Sequence, residues 1–207
     1  MKKGLLIFTC IVSLGTLAQA QDASQPFEIR PYAAVRLGGT YGFTDVKLSN
    51  KKESAKDFTF DGRLAFGAQF TNNFRGELEF SYISKLKDSF GTYTYIPLAI
   101  TGTLKAEVES QFYLVNGYYD FNPIGGTKKF RPFVGAGIGL AYVESKMKIQ
   151  SVSLSHDDTV FAIMGTFGGA YELNEKVSLD CAMRYAYADY EEGLHNLSID
   201  LGIRYKF

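Results

Sequence analysis

The sequence predicts an all-β fold in which eight antiparallel strands close into an up-and-down barrel. Three observations lead to this prediction. The chain after residue 28 divides into segments in which apolar and polar residues alternate, as they do in strands with one apolar face. The connections between these segments are alternately short and long. The first twenty residues have the pattern of a secretion signal. Together these features are typical of transmembrane barrels in bacterial outer membranes.

The amino terminus has the three parts of a secretory signal peptide. Two lysines are followed by an apolar run over 4–17 and by an Ala-x-Ala cleavage motif at 18–20. The apolar run is too short for a transmembrane helix, which needs about 20 residues. We therefore expect cleavage before Gln21, a short lead over 21–28 and a barrel domain over 29–207.

The first three strands show clear alternation. Strand one (29–43) has Val35 and Leu37 on one face and Arg36 on the other. Strand two (58–70) alternates phenylalanine with threonine, aspartate and arginine. Strand three (74–85) alternates aromatic and aliphatic residues with arginine and glutamate. Because successive side chains of a strand point to opposite faces, each strand has an apolar face and a charged face.

Strand four (108–121) departs from this pattern. Val115 and Tyr119 share one face, but Phe112 and Leu114 fall on the opposite face. The alternation therefore leaves the register of this strand open.

The last four strands alternate again. Strand five (130–144) sets apolar residues against glycines, which provide room for bulky interior side chains or allow the strand to curve. Strand six (159–172) and strand seven (177–189) carry aromatic and aliphatic residues on one face. Strand eight (196–207) alternates strictly and ends on an aromatic residue.

The connections have two lengths. Those after strands two, four and six are short turns rich in asparagine, glycine or proline. The others cover about 44–57, 86–107, 145–158 and 190–195, and most are longer and polar. Bacterial barrels have short turns on the periplasmic side and long loops outside, so an even strand number places both termini in the periplasm.

Composition excludes several classes of function. Removal of the signal leaves Cys181 as the single cysteine, so no internal disulfide is possible. It also leaves 20 basic against 22 acidic residues, and this balance does not favour a nucleic-acid partner.

The chain resembles the small outer membrane β-barrel proteins of the OmpA/OmpX/Opa kind, often grouped as a porin family. The resemblance covers essentially all of the mature chain and implies contact with outer-membrane lipid and lipopolysaccharide. It also implies that Tyr205 and Phe207 are the signal read by the barrel assembly machinery. Because the chain stops at strand eight, we expect no peptidoglycan-binding domain. The segments that carry the resemblance are PYAAVRLGG (31–39), YYDFNP (118–123), RPFVGAGIGLAYV (131–143) and GIRYKF (202–207).

If the apolar faces meet lipid, the charged faces point into the barrel. Eight strands enclose a space just wide enough for side chains, whereas a wide pore needs about 16 strands. Opposite charges crowded there should pair. We expect a salt-bridged interior, with a narrow or gated conduit as the alternative. The predicted interior charges are Arg36, Asp61, Arg63, Arg75, Glu77, Glu79, Asp180, Arg184, Asp200 and Arg204.

A lipid-modifying outer-membrane enzyme is a further alternative. The only histidines are His156, which adjoins Ser155 and Asp157, and His195, so a Ser–His–carboxylate arrangement is conceivable. Deacylase-like barrels place histidine and serine two residues apart, whereas here they are adjacent. Metal-ligand spacing is absent. We therefore expect no catalytic residues, no metal and no cofactor. A soluble β-sandwich or a lipid-binding calyx is the structural rival.

The predicted loops have mixed charge, as a solvated surface requires. The loop over 86–107 also carries aromatic residues at Phe90, Tyr93 and Tyr95 beside basic ones, which makes it the candidate contact for host proteins or glycans. Our leading hypothesis is a non-enzymatic outer-membrane barrel that serves envelope integrity, surface (adhesion-type) interaction, or both.

Overall fold

The computed structural model is an all-β closed barrel. It describes residues 29–48, 51–70, 73–95, 100–126, 129–149, 152–190 and 193–207. The predicted signal peptide and the lead over 21–28 lie outside these residues. The strands are β1 (Arg30–Leu48), β2 (Lys51–Gln69), β3 (Phe74–Tyr95), β4 (Ile100–Asp120), β5 (Phe130–Ile149), β6 (Val152–Glu172), β7 (Val177–Ala188) and β8 (Leu194–Lys206).

Each strand pairs with its neighbours in chain order, and β1 pairs with β8 to close the barrel. The predicted eight-stranded, antiparallel, up-and-down barrel is confirmed. Following paired positions once around the barrel from Lys56 returns to β2 at Phe66, ten residues along the strand. With strands about 4.8 Å apart and a rise of about 3.3 Å per residue, this offset tilts the strands by about 40° from the barrel axis.

The outward face of the barrel is apolar. Leu37, Phe60 and Leu201 are 69%, 73% and 66% exposed, because no part of the chain that the structure describes covers them. Aromatic side chains flank this band, as Tyr82 and Tyr185 do near one end and Tyr205 does near the other. An apolar band between aromatic girdles is the surface that a barrel presents to lipid. Among the described residues, no helix is long and apolar enough to span a membrane.

One end of the barrel, here called the turn end, has short connections over 70–73, 121–129 and 173–176, as the sequence predicts. The last turn shows why the chain reverses there. The side-chain Oδ1 of Asn174 accepts hydrogen bonds from the backbone N–H groups of Lys176 and Val177 at 2.9 and 2.8 Å. An asparagine that bonds the backbone two residues on is a local turn signal.

At the opposite end, here called the hairpin end, the predicted loop boundaries are wrong. β3 runs to Tyr95 and β4 begins at Ile100, so most of the predicted loop over 86–107 is paired strand. The connections over 44–57 and 145–158 are likewise mostly strand. Polar composition indicates solvent rather than irregular backbone, because strand pairing through backbone hydrogen bonds needs no apolar face. Phe90, Tyr93 and Tyr95 therefore belong to β3, and their side chains lie outside what the structure describes.

At the hairpin end the strands no longer form one closed sheet. Pairing between β2 and β3 stops at Asp61 and Ile83, and pairing between β6 and β7 stops at Ala162 and Ala188. Pairing from β3 through β6 continues beyond these points. The result is a two-stranded ribbon (β1–β2) and a four-stranded outer sheet, formed by 86–95, 100–108, 143–149 and 152–161.

Candidate functional site

The barrel interior holds the side chains predicted to be charged there. They come from β1, β2, β3, β7 and β8, at alternate positions whose neighbours face outward. Each of the ten is at most 6% exposed, so each needs a partner to offset the loss of hydration. The buried set is Arg36, Asp61, Arg63, Arg75, Glu77, Glu79, Asp180, Arg184, Asp200 and Arg204.

Glu77 is one centre of this network. Arg36 donates to its two carboxylate oxygens at 2.7 and 2.9 Å, and the hydroxyl of Tyr32 donates to it at 2.9 Å. A guanidinium that bonds both oxygens of a carboxylate is among the stronger side-chain hydrogen-bonding arrangements. Because β2 separates β1 from β3, the pair crosses the interior rather than lying along the wall.

Glu79 is the second centre. Arg184 donates to both of its oxygens at 2.9 and 2.5 Å, and the amide of Asn116 donates at 3.2 Å. β3 and β7 are four strands apart in a barrel of eight. The Glu79–Arg184 pair therefore joins opposite walls and spans the interior.

Arg63 forms a third group closer to the hairpin end. It donates to Asp200, and to Ser198 Oγ at 2.7 Å, and lies 2.5 Å from Asp61 Oδ2. The hydroxyl of Thr40 donates to the other oxygen of Asp61 at 2.9 Å. One arginine thus faces two aspartates, and neighbouring hydroxyl groups satisfy part of their remaining hydrogen-bonding capacity.

The turn end holds two further pairs. Arg75 Nε donates to Asp120 at 3.0 Å, and its guanidinium lies 4.0 Å from the centroid of the Tyr118 ring. Arg204 donates to Asp180 at 2.8 Å. The sequence interpretation missed Asp120 because the register of its strand was open. The signal was present, since Asn116, Tyr118 and Asp120 alternate with outward residues.

A buried apolar layer lies on the hairpin side of the charges. Phe112 and Leu114, which break the outward pattern of strand four, point inward and are 1% and 3% exposed. They pack in one cluster with side chains from five other strands and from the β7–β8 connection. The interior is therefore not uniformly charged. The cluster is Ile83, Leu86, Phe112, Leu114, Ala141, Val143, Ala162, Met164, Ala186, Ala188, Tyr190 and Leu194.

The glycines of β5 provide the space that the sequence predicts. An added Cβ at Gly135 would lie 2.4 Å from Cδ1 of the Tyr118 ring. An added Cβ at Gly137 would lie 1.9 Å from Oδ1 of Asn116. Bulky polar side chains of β4 therefore occupy the volume that these glycines leave.

The two histidines lie in different surroundings. His156 and Ser155 are neighbours on β6, and adjacent residues of a strand point to opposite faces, so their side chains do not converge. His195 lies on the outer surface, where its ring stacks on Phe43 at 4.8 Å and its Nδ1 is 2.6 Å from the hydroxyl of Tyr185. No group of three or more metal-ligating side chains occurs in the described ranges.

A shallow surface depression beside the outer sheet is lined by Lys85, Glu107, Glu109, Glu144 and Lys146. Glu109 and Glu144 are directly opposite on β4 and β5, which is unfavourable for like charges. Lys146 Nζ lies 2.9 Å from Glu144. This hydrogen bond with Glu144 raises the pKa of Lys146. The lysines therefore balance part of the acidic charge at this surface.

Comparison with known proteins agrees with this architecture. The family described as outer membrane protein beta-barrel domain matches residues 7–207. Outer membrane protein PagN of Salmonella typhimurium is 26% identical over 199 residues, covering 86% of this chain and 82% of PagN. The Rickettsia conorii protein named "Putative adhesin RC1281" is 28% identical over 175 residues, covering 79% of this chain and 67% of that protein.

A solved structure shows the same fold. Neisserial surface protein A superposes with a TM-score of 0.54 at 18% identity, over 86% of this chain and 97% of that one. The family match and the similarity to outer membrane protein PagN confirm the expected location in the outer membrane. Because the family match spans nearly the whole chain, this protein belongs to the outer membrane protein β-barrel domain family.

Proposed function

We propose that this protein is a non-enzymatic outer-membrane barrel that contacts external ligands through its outward hairpins, as an adhesion-type surface protein. The observation that carries the proposal is the continuation of paired strands past the closed barrel. β3 and β4 pair from Leu86 and Val108 to Tyr95 and Ile100. β5 and β6 pair from Val143 and Asp158 to Ile149 and Val152. Neither hairpin region helps to close the barrel. Ordered strands there provide a surface that a membrane anchor alone would not need.

The interior supports an anchor rather than a conduit. The Glu79–Arg184 pair spans the lumen between opposite walls. The apolar layer that includes Phe112 and Leu114 lies on the hairpin side of this pair. An ion would have to break a charge-assisted pair and then cross an apolar layer, and both steps are costly.

The placement of the histidines supports a non-enzymatic role. Ser155 and His156 point to opposite faces of β6. A serine nucleophile needs a base within hydrogen-bond reach. The name of one relative, "Putative adhesin RC1281", also supports a surface role.

The test is adherence of a non-adherent bacterium that displays the protein. One variant replaces 147–154 with Asn-Gly, which joins the paired residues Lys146 and Ser155 by a tight hairpin turn. We expect wild-type cells to bind cultured epithelial cells and the variant to lose most of this binding. A control variant of the turn end, Asn174→Gly, should bind like wild type. Equal binding by the shortened variant and wild type would contradict the proposal.

An envelope role is the second candidate, favoured by the buried charge network that fills the barrel. A filled, rigid barrel adds a stable element to the membrane without opening a path through it. Deleting the gene should then increase sensitivity to bile salts. Complementation with the shortened variant should restore resistance, because the closed part of the barrel is unchanged. Unchanged sensitivity after deletion would exclude this role.

We also propose that the barrel assembly machinery recognises the final strand. The other partners that we propose for the barrel are outer-membrane lipid and lipopolysaccharide. Tyr205 and Phe207 face outward, are 43% and 69% exposed, and lie 5.6 Å apart between ring centroids. Phe207→Ala should lower the amount of folded protein in the outer membrane. Folding of the purified variant in detergent should be unchanged, which separates recognition from stability.

A further inference from the structure

The backbone edge of β6 continues past the closed barrel without a second strand beside it among the described residues. Residues Val152 to Phe161 pair with β5 on one side. On the other side, pairing with β7 begins only at Ala162 and Ala188. The last described backbone hydrogen bond at this junction is the one that the N–H of Asp189 donates to the carbonyl of Phe161, at 2.9 Å. Beyond it, the hydroxyl of Tyr190 lies 2.9 Å from Oγ of Ser145 on β5. No described strand covers the edge beyond this junction.

The hydrogen bond at Phe161 identifies which groups point away from β5. Residues of a strand direct their N–H and C=O groups alternately to the two sides. Ser155, Asp157 and Thr159 therefore direct theirs to the open side, as Phe161 does. The N–H of Thr159 is already satisfied, because it donates to Oδ1 of Asp158 at 2.8 Å. The backbone groups of Ser155 and Asp157 remain as an open hydrogen-bonding edge.

This edge is the outermost strand of the four-stranded outer sheet and not part of an isolated two-stranded hairpin. A two-stranded ribbon is marginally stable, whereas three or more strands form a firm template. An exposed strand edge of this kind accepts an extended polypeptide as an added strand. The backbone supplies affinity, and the side chains at the edge select the sequence.

The side chains along the edge favour a basic segment. Leu154 through Thr159 are exposed. Asp157 and Asp158 are adjacent, so their carboxylates lie on opposite faces of the sheet. Glu144 lies directly opposite Asp157 on β5, and its charge is offset by Lys146. A strand added beside β6 would meet negative charge on both faces.

We propose that the open edge of β6 over 153–159 binds an extended, basic segment of a partner polypeptide as a fifth strand of the outer sheet. This inference rests on the proposed surface function and gives it a site and a partner chemistry. Lysine or arginine side chains of the added strand would lie near Asp157 on one face and Asp158 on the other. The exposed side chain of Leu154 offers an apolar contact near the end of this edge that is farthest from the closed barrel.

The test uses the full barrel in nanodiscs and three synthetic probes. The first is a peptide of alternating lysine and threonine, the second replaces lysine with glutamate, and the third is the lysine peptide methylated on alternate backbone nitrogens. We expect the lysine peptide to bind, with an affinity that falls as salt is added. The glutamate and methylated peptides should bind at least about tenfold more weakly. If the lysine and glutamate peptides bind equally well, the preference for a basic segment is wrong. If the methylated peptide binds as well as the unmethylated lysine peptide, binding by strand addition is wrong.

Variants of the edge locate the site. Ser155→Pro removes an open N–H at a position where an edge strand tolerates proline, while Ser155→Ala keeps the N–H and is the matched control. We expect Ser155→Pro to weaken lysine-peptide binding by about tenfold and Ser155→Ala to leave it unchanged. The variant Asp157→Asn/Asp158→Asn keeps the side-chain shape and should remove most of the salt dependence. Heat-modifiable gel migration checks that each barrel is folded.

Cell adherence separates this inference from the proposed function. If the 147–154 replacement abolishes adherence and Ser155→Pro does not, the surface function stands and the edge proposal fails. If neither change affects adherence, the proposed function fails as well. Binding of a sulfated glycan to the nanodiscs with no binding of the lysine peptide would assign the surface to a different class of partner and overturn the proposal.

Discussion

Glu79 and Arg184 meet in the middle of the barrel from opposite walls. Two hydrogen bonds of 2.9 and 2.5 Å join them, although their positions are 105 residues apart in the chain. Both side chains are almost fully buried. A pair in this position links β3 to β7 without a shared backbone ladder, so it opposes both collapse and opening of the lumen.

Removal of one partner of this pair should be strongly destabilising. Glu79→Met leaves the Arg184 guanidinium buried without its carboxylate, which costs about 3–5 kcal/mol in buried pairs. Urea unfolding in lipid vesicles measures the change. The double variant Glu79→Met/Arg184→Met removes both charges and should recover much of the lost stability. A double variant less stable than either single one would contradict this account.

The sealed interior predicts that the wild-type barrel does not conduct. Planar-bilayer recordings at several voltages and salt concentrations should show no unitary steps. A triple variant, Phe112→Ala with Glu79→Ala and Arg184→Ala, removes one bulky group from the apolar layer and the pair that spans the lumen. We expect small steps only from this variant. Reproducible steps from the wild type would revive the alternative of a small gated channel.

The alternation of apolar and polar residues predicts the fold because contact with lipid determines which residues a strand carries on its outward face. A residue that faces lipid must be apolar, so period two is strict where the barrel crosses the membrane. Strand eight shows this from Leu197 to Tyr205, where every second residue is exposed. The rule fails at strand four, because Phe112 and Leu114 are apolar yet point inward. Interior positions need only fill space, and an apolar layer fills it as well as a charged one.

The hairpin end was the least predictable part. Beyond the membrane neither face of a strand has to be apolar, so the periodicity disappears while backbone pairing continues. Lys105 and Lys148 are paired in the structure, although the sequence interpretation placed both in loops. The edge of β6 could not be predicted either, because it depends on where the pairing of β7 stops.

Gly38 should tolerate no side chain. An added Cβ would lie 2.6 Å from Asp61 Oδ1 and 2.9 Å from the carbonyl of Ile199, so it would displace the Asp61 oxygen that accepts a hydrogen bond from Thr40. Overpacking of this kind costs about 1–3 kcal/mol. Gly38→Ala should therefore lower the urea midpoint. The control is Gly165→Ala, where an added Cβ meets nothing within 4 Å, and its midpoint should equal that of wild type. Equal midpoints for both variants would show that Asp61 can move at little cost.

Cys181 allows a direct test of which face of the barrel meets lipid. Cys181 is exposed on β7, whereas its neighbour Ala182 is only 7% exposed. Because adjacent strand residues point to opposite faces, Cys181 should contact acyl chains and a cysteine at 182 should not. In lipid vesicles a pyrene maleimide should label Cys181, and brominated lipids should quench its fluorescence. The control is Ala182→Cys in a Cys181→Ala background, which should label slowly and show little quenching. Equal labelling and quenching at the two positions would reverse the assignment of the barrel faces.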